Sequence, residues 1–163
     1  MTHRILGVDP GLRITGYGVI DVVSGRARLV EAGVVTPKIG ATLEQRLREL
    51  HEGMSAVVSA TRPDAMVVEE VYTTYKNPRT AVMMGHARGV LYLAGAQGGV
   101  PVHTLGHSLV KRALIGSGAA RKDQVKKMVV QLLGLRKLPQ PDDVSDALAL
   151  AVAYALRYNG VRT

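Results

Sequence analysis

The chain has 163 residues, 47% of them hydrophobic, which allows a packed core and excludes an intrinsically disordered chain. It contains no Cys, Trp or Phe, so a disulfide framework and a thiolate metal site are excluded and a reducing, cytoplasmic setting is expected. Lys and Arg number 21 against 13 Asp and Glu, a net charge of +8.

The residues Met1-Thr2-His3-Arg4 lead into an apolar run too short for a signal peptide, and the longest apolar run, residues 147–156, is too short to span a bilayer. No membrane association is therefore expected. A first strand is expected over Ile5–Asp9, with Ile5, Gly7 and Asp9 on one face and Leu6 and Val8 on the other. Both faces are apolar until Asp9, which marks a central strand. Asp9 either opens the Pro10-Gly11 turn or is a buried carboxylate that needs a partner or a cation. Thr15–Ile20 reads as the second strand. The third, residues 26–36, is more polar and belongs nearer an edge.

Thr42 and Gln45 form a capping box that opens a helix to about Thr61, with Leu43, Leu47, Leu50, Met54 and Val57 inward. After the Arg62-Pro63-Asp64 break, residues 65–68 are a continuous apolar strand ending in Glu69-Glu70. A helix from Pro78 to about Gly95 and a short strand over Val100–Leu105 follow. Three helices, Ser108–Ile115, Arg121–Leu133 and Asp143–Tyr158, close the chain. Residues 1–163 show no repeat or linker and are expected to form one domain. This order predicts an α/β architecture, a five-stranded mixed sheet with helices on both faces. Asp9 and Glu69 end two of its strands, where such sheets place their crevice.

Asp143 and Asp146, at i and i+3, share one face of an otherwise apolar helix. They either cap that helix or face inward to meet Asp9 and Glu69. Four clustered carboxylates repel unless divalent cations lie between them, and oxygen-only ligands suit Mg²⁺, with Mn²⁺ as a substitute. Two ions about 3.5–4 Å apart suit phosphodiester hydrolysis.

The motifs Gly7-Val8-Asp9-Pro10-Gly11, Thr15-Gly16-Tyr17-Gly18-Val19-Ile20, Glu69-Glu70-Val71-Tyr72, Gly85-His86-Ala87-Arg88-Gly89-Val90 and Asp143-Val144-Ser145-Asp146-Ala147-Leu148-Ala149 occur in that order. Together they resemble the RuvC family of Holliday junction resolvases, in the ribonuclease H-like superfamily. The resemblance implies a metal-dependent endonuclease that makes paired nicks in four-way DNA junctions during recombination and repair. It places the catalytic and metal-binding acids at Asp9, Glu69, Asp143 and Asp146, with Glu70 and Asp142 as rivals to their neighbours. It also implies a branch-migration complex, RuvA–RuvB, as partner, and no nucleotide cofactor. Other readings are a ribonuclease H-like enzyme acting on RNA or hybrids, and a junction-binding protein without activity.

Eight basic residues fall between Lys111 and Lys137 beside one acid, Asp123; they mark either a nucleic-acid surface or a solvated face. By resemblance Tyr72 wedges against bases at the junction core; Tyr72 and Tyr75 also suit a packed lid. Lys76 and Arg79 are placed to hold phosphates. Lys111 and Lys122 match basic positions linked to DNA binding, and Lys126 shares an outer helix face with Lys122. Gly116-Ser117-Gly118 offers backbone amides to a phosphate. A homodimer is expected, since paired nicks need two sites related by a twofold axis. Its candidate interface is the stripe Ala81, Gly85 and Gly89, flanked by Met84, Arg88 and Leu91; the same stripe would also suit packing on its own sheet.

Overall fold

Alternating apolar residues build a sheet that is covered on both faces. The computed structural model describes residues 2–70 and 78–158. β1 (Thr2–Asp9), β2 (Thr15–Val23) and β3 (Arg26–Val35) form an antiparallel meander, and β4 (Ala65–Glu69) and β5 (Val102–Leu105) run parallel to β1. The strand order is β3-β2-β1-β4-β5. α1 (Leu43–Thr61) and α2 (Pro78–Gln97) connect the later strands; α3 (His107–Ile115), α4 (Lys122–Leu133) and α5 (Asp142–Tyr158) follow β5. This is the expected five-stranded mixed sheet between two helical layers. Among the described residues, no helix is long and apolar enough to cross a membrane.

Several boundaries differ from the sequence reading, for local reasons. β1 and β2 extend to Thr2 and Val23 because Arg4 pairs with Asp21 in register, and the Arg4 Nε donates to Asp21 Oδ1 at 2.7 Å. α1 starts as expected, with the Thr42 N–H donating to Gln45 Oε1 at 3.1 Å, and ends at Arg62 in the left-handed conformation. α5 begins at Asp142, so Asp143 lies inside the helix and is not its cap.

The period of two sorts the strand residues between layers. Leu6, Val8, Val19, Met66 and Val68 pack under α1 and α2 with Leu50, Met54, Val58 and Leu91. Ile5, Ile20 and Val67 face the other way, toward Val110, Val129 and Leu148 of α3, α4 and α5. Asp9 and Glu69 continue the Ile5 and Val67 side, so both acids end on the α5 face. The β1–β4 register pairs Val8 with Val68 and so brings Asp9 and Glu69 to the same level.

α5 is buried almost all round and lies directly on β1 and β2. Two glycines permit this approach. A Cβ on Gly7 would overlap the carbonyl oxygen of Ala147, and a Cβ on Gly16 would overlap that of Asp143. Gly16 is also the register partner of Asp9. The helix start that carries Asp143 is thereby set beside the strand end that carries Asp9.

Gly7→Ala is expected to cost about 1–3 kcal/mol by overpacking against the α5 backbone. Gly85→Ala, where an added Cβ meets nothing within 4 Å, is expected to be neutral or to stabilise by up to about 1 kcal/mol through helix propensity. Urea unfolding of both variants checks the contrast.

Candidate active site

The end of β4 and helices α3, α4 and α5 enclose a cleft of about 310 Å³ at the C-terminal edge of the parallel strands. Its walls include Glu69, His107, Lys111, Lys122 and Asp146, over an apolar floor of Val110, Val125 and Leu150. Asp9 lies against this cluster. Burial, together with the negative charges of Glu69, Asp146 and Asp143 and a hydrogen bond shared with Glu69, pushes its carboxyl up to about 8. Four carboxylates from β1, β4 and α5 therefore act on one another at one place. Among the described residues, no three of them converge closely enough to cage an ion as they stand.

Positive groups of the protein occupy two of these acids. Lys122 Nζ donates to Asp146 Oδ2 at 2.8 Å and lies 3.5 Å from Asp142 Oδ2. Lys126 Nζ donates to Asp142 Oδ1 at 2.6 Å. These hydrogen bonds raise the Lys122 ammonium above its ordinary value and hold Asp142 below the usual carboxylate range. The two lysines expected on an outward face thus turn toward the acids: α4 crosses the start of α5, where the negative charge is.

His107 Nε2 lies 2.9 Å from Glu69 Oε1, and this contact raises the imidazole above its ordinary value. His107 escaped the sequence reading. The available signal was its place two residues after β5, a strand whose parallel neighbour ends in Glu69. Helix α3 starts at His107, one residue earlier than the pattern predicts, with Gly106 as N-cap.

Of the rival acids, Glu69 points to the cluster and its side chain is 16% exposed, whereas Glu70 is exposed on the opposite strand parity. Asp143 acts on Asp9, while Asp142 is turned to Lys122 and Lys126. Lys111 lines the cleft. Arg79 does not; it lines a separate groove with Arg13 and Arg46. Gly116 terminates α3 in the left-handed conformation, and the Ser117 Oγ accepts from the Ala119 N–H at 3.3 Å. Tyr72, Tyr75 and Lys76 lie outside the described residues.

The donor chemistry fits hard divalent cations. Every carboxylate supplies oxygen only, and burial first, then the neighbouring negative charges, raise the Asp9 carboxyl, a charge excess that a cation would relieve. Lys122 is the group that a cation on Asp146 would displace, whereas His107 bears on Oε1 of Glu69 alone.

The family described as crossover junction endodeoxyribonuclease RuvC matches residues 5–154. A relative of that name from Rhodopirellula baltica is 45% identical over 91% of this chain and 83% of its own length. The structure of Thermus thermophilus RuvC superposes with a TM-score of 0.88 at 35% identity, covering 96% of this chain and 95% of that one. A structure of T. thermophilus RuvC in complex with Holliday junction substrate superposes with a TM-score of 0.90 at 34% identity, covering 98% of both chains. The resemblance read from five short motifs extends over nearly the whole fold, and the chain belongs to the RuvC family of crossover junction endodeoxyribonucleases, which are metal-dependent nucleases.

Proposed function

We propose that this chain resolves four-way DNA junctions by paired, symmetric nicks, through phosphodiester hydrolysis at the Asp9–Glu69–Asp143–Asp146 cluster. The observation that carries this reading is the convergence of those acids beside a cleft lined by Lys111 and Lys122. Asp9, Glu69, Asp143 and Asp146 would hold two Mg²⁺ ions, for which Mn²⁺ would substitute, and the chemistry such ions would supply is neutralisation of negative charge during phosphodiester hydrolysis. Lys111 and Lys122 hold the non-bridging oxygens of the phosphate. His107 fixes the orientation of Glu69 by donating to Oε1, and the apolar floor under the cleft limits the entry of bulk water. Tyr72, by resemblance, stacks on a base at the junction core, with Tyr75, Lys76 and Arg79 nearby. Lys126 steadies the basic face through Asp142. RuvA–RuvB delivers the junction, and the reaction takes place in the cytoplasm, on the 1–163 unit acting as one domain.

Paired nicks call for two copies of the site, supplied by a twofold dimer. The exposed side of α2 supports this arrangement. Val82 is 59% and Leu93 49% exposed, and among the described residues the Cβ positions of Gly85 and Gly89 meet nothing within 4 Å. The small-residue stripe therefore faces away from the sheet, and a second helix can approach its backbone. Leu91 does not contribute; it is fully buried under β4, on the opposite side of α2. Arg88 turns to Tyr92, whose hydroxyl accepts from Nη2 at 3.2 Å.

The reading is tested by incubating the protein in Mg²⁺ with an end-labelled four-way junction, a linear duplex and an RNA–DNA hybrid. Cleavage confined to the junction is expected. Cutting of the hybrid alone would assign the site to RNA, and binding without any cutting would make the protein a junction binder.

Asp9→Asn is expected to lower junction cleavage by about 10²-fold or more while binding persists, because affinity rests on phosphate contacts. It also changes the response to pH. With a folded-state carboxyl at about 8 against about 3.9 unfolded, the folded protein keeps a proton that the unfolded chain has released. Metal-free wild type should therefore lose stability as pH rises from about 4 through about 8. At the upper end in EDTA, Asp9→Asn should melt higher than wild type, by about 2–4 °C for each 1 kcal/mol of relieved penalty at this size. Thermal scans across that range decide it.

Gly89→Arg is expected to weaken dimerisation and uncouple the nicks, so that nicked circles accumulate from a cruciform plasmid at the expense of linear product. Sedimentation of the same samples supplies the second reading. Linear product from a protein that sediments as a monomer on the junction would exclude the dimer.

A further inference from the structure

The lysines of the cleft lie on the α3–α4 side of the sheet, and the opposite side carries a second group of cations. Arg13 follows Asp9 by four residues in the β1–β2 turn. Arg46 stands in the first turn of α1 and Arg79 in the first turn of α2. All three segments lie at the edge of the sheet where Asp9 and Glu69 end. The three arginines line one groove of about 310 Å³ over Leu12, Met83 and Met84. A second concavity of about 440 Å³ shares Leu12, Arg13 and Arg46 with the first and adds Lys38. Among the described residues, no acid lines either one.

Among the described residues, the guanidinium groups of Arg13 and Arg46 have no hydrogen-bond or ion-pair partner. The contrast with Lys122 and Lys126 is informative, because those cations are neutralised within the fold. The unpartnered guanidinium groups of Arg13 and Arg46 line one groove over an apolar floor; like charges so placed repel, and an anion relieves the repulsion. Their planar forks match phosphate oxygens in bidentate fashion. Two adjoining concavities that share Leu12, Arg13 and Arg46 suit successive phosphates of one strand.

We propose that the groove of Arg13, Arg46 and Arg79 is a second phosphate-binding track, which takes backbone phosphates of the cut strand on the α1–α2 side of the sheet. The scissile phosphate then lies between two sets of cations, Lys111 and Lys122 on one side and the arginines on the other. This rests on the DNA-cleaving reading of the carboxylate cluster, from which the direction of the strand is inferred.

The test is the salt dependence of junction binding by the full chain in EDTA, from about 50 to about 200 mM salt, for wild type and the double variant Arg13→Ala/Arg46→Ala. Each lost phosphate contact flattens the log–log slope by about 0.9, so a change of about 1.8 is expected. Phosphate ethylation interference on the cut strand should disappear on one side of the nick in the double variant. With Lys122→Ala it should persist there. If the double variant does not fold, Arg13→Gln at its exposed position carries the same test with an expected change of about 0.9. An unchanged slope and footprint, beside a wild type that cuts junctions, would overturn the track and leave the active site standing. Arg13-dependent binding of inorganic phosphate with an unchanged DNA slope would assign the groove to free phosphate and also overturn it. A wild type that neither binds nor cuts a junction would remove both readings.

Discussion

The direct contact of α5 with β1 and β2 is the constraint on which the site depends. Helices usually lie about 10 Å from a sheet because side chains fill the gap, and Gly7 and Gly16 remove those side chains where α5 crosses. The helix then descends until its backbone meets the strands. Asp143 and Asp146 are carried down with it, to the level at which β1 and β4 end in Asp9 and Glu69. The strand register, the glycine positions and the helix start thus specify one point from three directions.

Bringing acids together creates an electrostatic problem that the fold answers with its own cations. Burial and three neighbouring negative charges keep Asp9 from ionising, and Lys122 and His107 hold Asp146 and Glu69. Glu69 is the more enclosed of these two acids, and the Lys122–Asp146 pair is part-exposed, so it offsets charge at the mouth of the site and contributes little to stability. Lys122 is a partner of Asp146 and a neighbour of the cleft into which a phosphate would enter. Loading of the acids and release of Lys122 are for that reason linked through one carboxylate.

The sheet divides the work of the protein between its faces. On one side, α3, α4 and α5 bear the acids and the lysines paired with them. On the other, α1 and α2 complete a core around Leu50, Met54 and Leu91 while their first turns display arginines at the same sheet edge. α2 adds an outward stripe of small and apolar residues that its own chain leaves uncovered. The net charge of +8 is the excess of 21 Lys and Arg over 13 Asp and Glu, and the sheet distributes that excess over both of its sides.

Much of this architecture is legible in the amino-acid order because it rests on local physics. Period-two alternation locates β1, a continuous apolar run locates β4, a capping box starts α1, and the apolar run of α5 announces a buried helix. The candidate acids stand out for the same reason: carboxylates at the ends of apolar segments are costly unless they meet a partner. Only the tertiary structure decides between neighbours. Strand parity, fixed by which layer Val67 faces, turns Glu69 inward and leaves Glu70 outside. The rotation of α5 on the glycines puts Asp143 next to Asp9 and leaves Asp142 to Lys126. Lys122 and Lys126 read as an outward face until α4 is seen to cross the start of α5. His107 acquires meaning only when β5 is placed beside β4. In each case the deciding contact joins residues far apart in the chain, and spacing along a sequence carries no information about it.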